Sequence, residues 1–431
     1  MTILLLMGLT VLLPLVIGVP IAVTLGGSGL LWIALLDPNL LRGAGHAVWN
    51  TAENYVLISI PLFILMGELI ERANFANRFY DAVSLWLRPI PGGLLHANIA
   101  ACSLFSAVSG SSVATAATIG KAAIPSLERL KYDRRLTLGS LAAGGTLGIL
   151  IPPSIPLIIY AALVEVSLGQ LVVAAIIPGV MMALIFSGYL WIMAWRRPEM
   201  APRLGGRPDV AALLRSLGAM LPLFFIIGII LCGIYFGWAT PTEVAALGVL
   251  AAAGLALIQR QLTWPVIRDS VVATVRFTAM LMLVIIGAQI FSFAIFSWGV
   301  NYDISDWIAG LEYPRLAILG VVIAIYLLLG MFIDAISMMV LTLSVVFPII
   351  LKLEYDPIWF GIVLVILLEI GLITPPVGMN LYTIQALDPA RISLGEVTRG
   401  ALPFVGLLLA GIALLIAFPS IALWLPSLMF R

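Results

Sequence analysis

Charge is scarce in this chain. Only 10% of its 431 residues are Asp, Glu, Lys or Arg, and the net charge is +1; a soluble domain carries ~25% charged residues. So little charge excludes a solvated globular surface. It also excludes a nucleic-acid face, because no basic cluster interleaves with aromatics. The only cysteines, Cys102 and Cys232, both sit in apolar segments. They are expected as buried free thiols, with neither a disulfide framework nor metal-ligand spacing. His46 and His96 are read as interfacial, with no part in proton chemistry. A G-x-x-x-x-G-K-[ST] loop is missing, so the chain is not a self-contained ATP-driven pump. Asp-rich pairs and histidine clusters are missing too, which leaves an intramembrane transferase without the acids for Mg²⁺ or a nucleophile with its base.

What the chain has in abundance is hydrocarbon: 62% of residues are hydrophobic and the mean hydropathy is +1.16. Apolar stretches of about 17–25 residues, each able to cross ~30 Å of hydrocarbon, recur about eleven or twelve times, with two more that look re-entrant. The main polar break, Arg196–Arg215, reads as a linker between two halves. The N-terminal "MTILLLMGLTVLLPLVIG" lacks a basic n-region and a cleavage site, so it is read as a retained span. Thr2–Leu36 is either one long bent span or two shorter ones kinked near Gly18–Pro20.

The two halves say the same thing. Pro152-Pro153 and Pro375-Pro376 are 223 residues apart, as are Tyr132-Asp133 and Tyr355-Asp356, and Pro125 and Pro348. Pro20 and Pro241 are 221 apart, Pro178 and Pro403 are 225 apart, and the "SLG" runs at Ser167 and Ser393 are 226 apart. Several matches in one order with small drift indicate a duplicated unit. Duplicated halves with helix breaks at matching places are the sequence pointer to a transporter's binding site.

Charge then orients the halves. Arg129, Lys131, Arg134 and Arg135 crowd one loop, whereas its counterpart Leu351–Asp356 holds only Lys352 as a basic residue. Arg72–Arg88 carries three arginines, and its counterpart carries Asp303, Asp306 and Glu312. Further on the bias reverses: Glu165–Gln170 has no base, and its counterpart has Arg391 and Arg399. Basic loops stay cytoplasmic, so the halves are expected to be inverted copies with a cytoplasmic linker. Residues 1–195 form the first repeat, with a re-entrant hairpin at about 94–130 and a broken helix at about 136–164; 196–215 is the linker; 216–431 is the second repeat, with a hairpin at about 317–353 and a broken helix at about 358–387. The tips fall in "SAVSGSSVATAAT" (Ser106–Thr118) and "GMFIDAISM" (Gly330–Met338).

Neither break can be one regular helix. Proline removes a donor and clashes with the preceding turn, which frees carbonyls upstream, and such backbone is tolerated at membrane depth only where protein or a watery cavity lines it. Carbonyl and hydroxyl oxygens suit Na⁺, and half-helix N-termini suit an anion. The competing explanation is that these glycines and serines merely allow close helix packing. Few ionisable residues fall inside spans. Asp334 stands where the repeat places Ser111 and is either an ion-site residue or a helix cap; Glu68 and Glu369 lie within apolar runs, and Glu243 looks like a helix-start acid. Lys121 is either an anion attractor or a snorkelling side chain.

The ordered set "PLFILMGELIERA", "SGSSVATAATIGKAAIP", "GTLGILIPPSIPLIIYA", "ATPTEVAALG", "GMFIDAISMMVLTLSVVFPI" and "GLITPPVGMNLYT" resembles the large membrane subunit (DctM type) of tripartite ATP-independent periplasmic (TRAP) transporters across essentially the whole chain. The resemblance implies an all-α polytopic elevator-type secondary transporter of a bacterial or archaeal inner membrane. Na⁺ would be the coupling ion with no further cofactor, and the cargo an organic anion such as a C4-dicarboxylate, keto acid or sugar acid. The partners it implies are a small membrane subunit and a periplasmic binding protein. Carried over by motif, one ion site joins Ser109, Gly110, Ser111 and Ser112 to Gly145, Gly148, Ile151 and Pro152. The other joins Gly330, Phe332 and Asp334 to Gly371, Thr374, Pro375 and Gly378, with substrate near Ser112, Ser154, Asn380 and Lys121. No arginine falls at either tip or break, so helix dipoles, Lys121 and Na⁺ are left to offset the anion's charge. A stand-alone anion carrier of similar inverted-hairpin fold, needing no partner subunit, is the alternative.

Overall fold

In hydrocarbon a backbone amide finds no water, so apolar runs of this length close their hydrogen bonds internally as helices. The computed structural model describes residues 2–202, 209–300 and 313–429, and every regular element among them is helical. The first helices, α1 (Thr2–Val16) and α2 (Ile21–Leu36), part where Gly18 takes φ +87° just ahead of Pro20, so this segment is two helices rather than one bent span. There follow α3 (Leu41–Ala52), α4 (Ser59–Arg72) and α5 (Phe75–Leu87). Next, α6 (Gly93–Ser109) and α7 (Ser112–Arg129) pack together across a two-residue turn. After them, α8 (Arg134–Thr146) and α9 (Ile155–Val164) are separated by a 3₁₀ turn and the first Pro-Pro pair. The first half closes with α10 (Leu168–Arg196).

The second half runs α11 (Val210–Tyr235), α12 (Pro241–Ile258) and α13 (Trp264–Ser297). A second close pair, α14 (Arg315–Gly330) and α15 (Ala335–Lys352), precedes a second broken pair, α16 (Pro357–Leu372) and α17 (Met379–Ala386). The last helices are α18 (Leu394–Ala417) and α19 (Ser420–Met429). Asp303, Asp306 and Glu312, which enter the charge comparison, lie outside the described residues, as do linker residues 203–208.

Among the described residues six single helices are long and apolar enough to cross a membrane: α10 to α13, α15 and α18. That is fewer than the sequence suggests, because its apolar runs are cut by glycine and proline into pieces of 10–17 residues such as α6, α9, α14 and α16. The thiols also divide. Cys102 is buried, but Cys232 is exposed on α11 beside outward-facing Phe225, Leu221 and Tyr235, because a rim helix turns apolar side chains to lipid as well as to the core.

Hydrogen bonds sort the loops into two faces. Asp133 N–H donates to Met200 O at 2.7 Å, Arg134 donates to Arg391 O, and Arg134 lies 3.8 Å from Glu396. The basic loop after α7, the segment after α10 and the start of α18 therefore share one face. On the other, Tyr160 O–H donates to Pro357 O at 2.7 Å and Trp359 Nε1–H to Leu415 O at 2.9 Å. Between the faces runs α16, with nearly its whole length buried.

Candidate functional site

The first tip is a tight reversal. Gly110 takes φ +59° as the C-cap of α6, and its N–H donates to Ser106 O at 2.9 Å. Ser111 is the N-cap of α7, its Oγ accepting from Ala114 N–H at 3.3 Å, while Ser109 Oγ and Thr115 Oγ1 share a hydrogen bond of 2.7 Å. The first break lies directly against this turn. A Cβ on Gly148 would stand 3.0 Å from Ser111 O, so only glycine lets these backbones approach without displacement. Beyond the cis Pro152-Pro153 bond, Ser154 caps α9, accepting from Leu157 N–H at 3.5 Å and donating to Ile149 O.

The second tip and break repeat the arrangement. Asp334 is the N-cap of α15, Oδ2 accepting from Ser337 N–H at 3.0 Å. Gly330 and Gly371 touch backbone to backbone: a Cβ on either would stand 3.0 Å from the other's Cα. Val377 N–H crosses from the break to donate to Met331 O at 3.1 Å, and the Thr374 hydroxyl donates to Ile370 O at 2.6 Å. Gly330, Asp334, Gly371 and Gly378 line one small gap. Glu369, one helical position from Leu368 on this gap, is wholly buried in α16 and meets no donor among the described residues.

One contact joins the halves at this depth. Asn380, at the start of α17, is fully buried and donates through Nδ2 to Ser112 Oγ at 2.7 Å and to Ala142 O at 3.0 Å. A Cβ on Gly145 would meet Asn380 Nδ2 at 3.2 Å, so Gly145, Ser112 and Asn380 form one cluster. The two tips, the two breaks and this bridge present backbone oxygens, hydroxyls and helix N-termini, with Asp334 as the fixed charge at a tip. Such a set suits a small hard cation and the oxygens of an anion.

Other expected site residues stand apart. The Ile151 side chain turns toward α10, where a Cβ on Gly179 would meet it at 2.9 Å; Phe332 is largely exposed, and neither it nor Thr374 nor Pro375 lines the gap at the second tip. Pro152 is buried within its break. Lys121 sits nine residues beyond Ser112 on α7, about 13 Å along the axis, exposed and away from the cluster. Glu243 completes a capping box with Thr240, as a helix-start acid should. Arg276 escaped the sequence reading. It lines a cavity of about 370 Å³ together with Ser109 and Ser111, so an arginine from a helix remote in sequence faces the same space as the first tip. Its signal was a lone cation inside the apolar run "VVATVRFTAMLMLV".

Residues 6–421 match the family described as "Tripartite ATP-independent periplasmic transporter, DctM component". The chain is 37% identical over 407 residues to the C4-dicarboxylate TRAP transporter large permease protein DctM of Pseudomonas aeruginosa, covering 94% of each. It is 30% identical over 416 residues to the isethionate TRAP transporter permease protein DctMQ of Oleidesulfovibrio alaskensis, covering 95% of this chain and 64% of that one. In fold it is similar to the crystal structure of the Alcanivorax borkumensis YdaH transporter, with a TM-score of 0.65 at 15% identity over 90% of this chain and 91% of that one.

Proposed function

We propose that this chain, which belongs to the DctM component family of tripartite ATP-independent periplasmic transporters, couples inward movement of Na⁺ to the import of a small organic anion. It is a secondary-transporter permease and not an enzyme, a multi-pass protein of the inner membrane. It works with a small membrane subunit and with a periplasmic binding protein that delivers the anion. The relative named DctMQ, only 64% of which this chain covers, supports a second membrane component. Relatives are named for C4-dicarboxylate and for isethionate, so the cargo class spans organic anions and the acid itself is set outside the shared fold.

The observation that carries this reading is the doubled contact of tip and break: Gly148 against Ser111 in one half and Gly371 against Gly330 in the other. Each brings backbone oxygens and a helix N-terminus together at a place where the helix is interrupted. Na⁺ is assigned to these two seams, and the anion to the space between the tips, near Ser112, Ser154 and Asn380. The tips and broken helices move together against the remaining helices, as in an elevator.

Uptake in proteoliposomes holding this chain, its small subunit and its binding protein tests the reading, with a panel of labelled acids and with or without a Na⁺ gradient. Uptake that needs both the gradient and the binding protein is expected. Na⁺-driven uptake by this chain alone would make it a stand-alone carrier, and uptake indifferent to Na⁺ would remove the coupling.

A further inference from the structure

The cavity beside the first tip shares Ser111 with the first seam and opens away from it toward other helices. Its roof is the tip itself, through Ser109 and Ser111, and its walls are α4 and α13. From α13, Ala273, Arg276, Phe277 and Met280 face it, a stripe at i, i+3, i+4 and i+7, so about two turns of that helix border this space. From α4 come Glu68 and Glu71. At about 370 Å³ the cavity is within the ~300–1,000 Å³ range of small-molecule sites.

Its charges are unevenly committed. Glu68 is paired with Arg72 at 2.9 Å, and Glu71 lies against the Thr118 hydroxyl. Arg276 has no ion pair or side-chain hydrogen bond among the described residues, and it is exposed into the cavity. It stands twelve residues into α13, about 18 Å along the axis of this 34-residue helix and just ahead of its longest apolar run. A guanidinium that lines a cavity without a partner among the described residues is available to an anionic group entering it. Its planar fork matches the two oxygens of a carboxylate or sulfonate, and the hydroxyls of Ser109 and Ser111 and the N-terminus of α7 add donors on the same side.

We propose that Arg276 is the counter-charge that binds the anionic group of the transported molecule in this cavity, on the open side of the first tip, before the anion passes to the buried space near Ser112, Ser154 and Asn380. This rests on the reading of the chain as an organic-anion permease. It also gives the anion a fixed cation from a helix outside both seams. Arg276 then sets a requirement for a carboxylate or sulfonate that the seams do not impose.

The test is anion binding to the purified complex of this chain with its small subunit. Melting temperature is followed with and without succinate, pyruvate, isethionate or N-acetylneuraminate, since a ligand that binds only the folded protein stabilises it by mass action. At least one acid should raise the melting temperature of wild type and of Arg276→Lys, and Arg276→Gln should need about ten- to a hundredfold more acid for the same rise. An equal rise in Arg276→Gln, or no rise in wild type with any of the acids, overturns the proposal. Arg276→Cys, in a Cys232→Ser background, supplies a charge rescue. A reagent adding an aminoethyl group should restore the response and one adding a methyl group should not; equal restoration by both overturns the assignment. Uptake measured on the same preparations separates the two ideas. Binding that needs Arg276, with uptake indifferent to Na⁺, would sink the coupling and leave this inference standing.

Discussion

Ser111 and Asp334, 223 residues apart, hold the same post: each caps the helix that leaves a tip, Ser111 Oγ accepting from Ala114 N–H at 3.3 Å and Asp334 Oδ2 from Ser337 N–H at 3.0 Å. One is neutral and the other a carboxylate, so the caps match in geometry and differ in charge.

Substitutions at Asp334 separate those two properties. Asp334→Asn keeps an acceptor oxygen, and the melting temperature should stay near wild type while the Na⁺ concentration for half-maximal uptake rises. Asp334→Ala loses the cap as well, at a cost of about 0.5–2 kcal/mol. Unchanged Na⁺ dependence in Asp334→Asn would leave the residue a cap and nothing more.

The Asn380–Ser112 pair invites a double-mutant cycle. Asn380→Ala leaves Ser112 Oγ and Ala142 O without their donor and should cost about 1–3 kcal/mol. Ser112→Ala should cost less, since Asn380 keeps its bond to Ala142 O. A coupling energy above about 0.5 kcal/mol in detergent denaturation is expected for groups in direct contact; additive effects would mean the bond contributes nothing.

Glycine at the seams is required by space. Gly371→Ala places a Cβ 3.0 Å from Gly330 Cα and O, and Gly148→Ala places one 3.0 Å from Ser111 O. Each should destabilise by about 1–3 kcal/mol, as overpacking does. Gly254→Ala on α12, with nothing within 4 Å of the new Cβ, is the matched control and should leave uptake unchanged and the melting temperature equal or slightly higher.

Sidedness can be read by labelling single cysteines in a Cys232→Ser background, needed because Cys232 is itself exposed. Cysteines replacing Arg129, Arg135 and Arg391 should react from the cytoplasmic side, and one replacing Asp356 from the periplasmic side. Reaction of all four from one side would end the inverted-repeat argument.

Local chemistry made much of this architecture readable. Proline pairs and φ-positive glycines interrupt helices wherever they fall, so the tips at Gly110 and Asp334 and the breaks at Pro152 and Pro375 follow from single residues and their spacing. Tertiary partnership is another matter. That Asn380 would find Ser112, 268 residues earlier, depends on how α17 packs against α7, which no local period encodes. Arg276 shares a cavity with the first tip because α13 lies along α4, and the same reliance on packing hid the outward turn of Cys232. Span counting and helix length part for a different reason: hydropathy measures a run of residues and does not see a glycine or proline that divides it into shorter helices.

The seams have one more consequence, which concerns water. Where Gly330 meets Gly371 and Gly148 meets Ser111, the backbones leave no room for a single extra methyl group. A cation with its hydration shell is far larger than that. Any ion lodging in a seam must first be stripped of water, and the oxygens of the protein have to replace what it gives up. An organic acid is excluded from the same crevices by bulk alone. On the assignment proposed above, size would keep the ion and the acid in separate compartments before charge or affinity has any say.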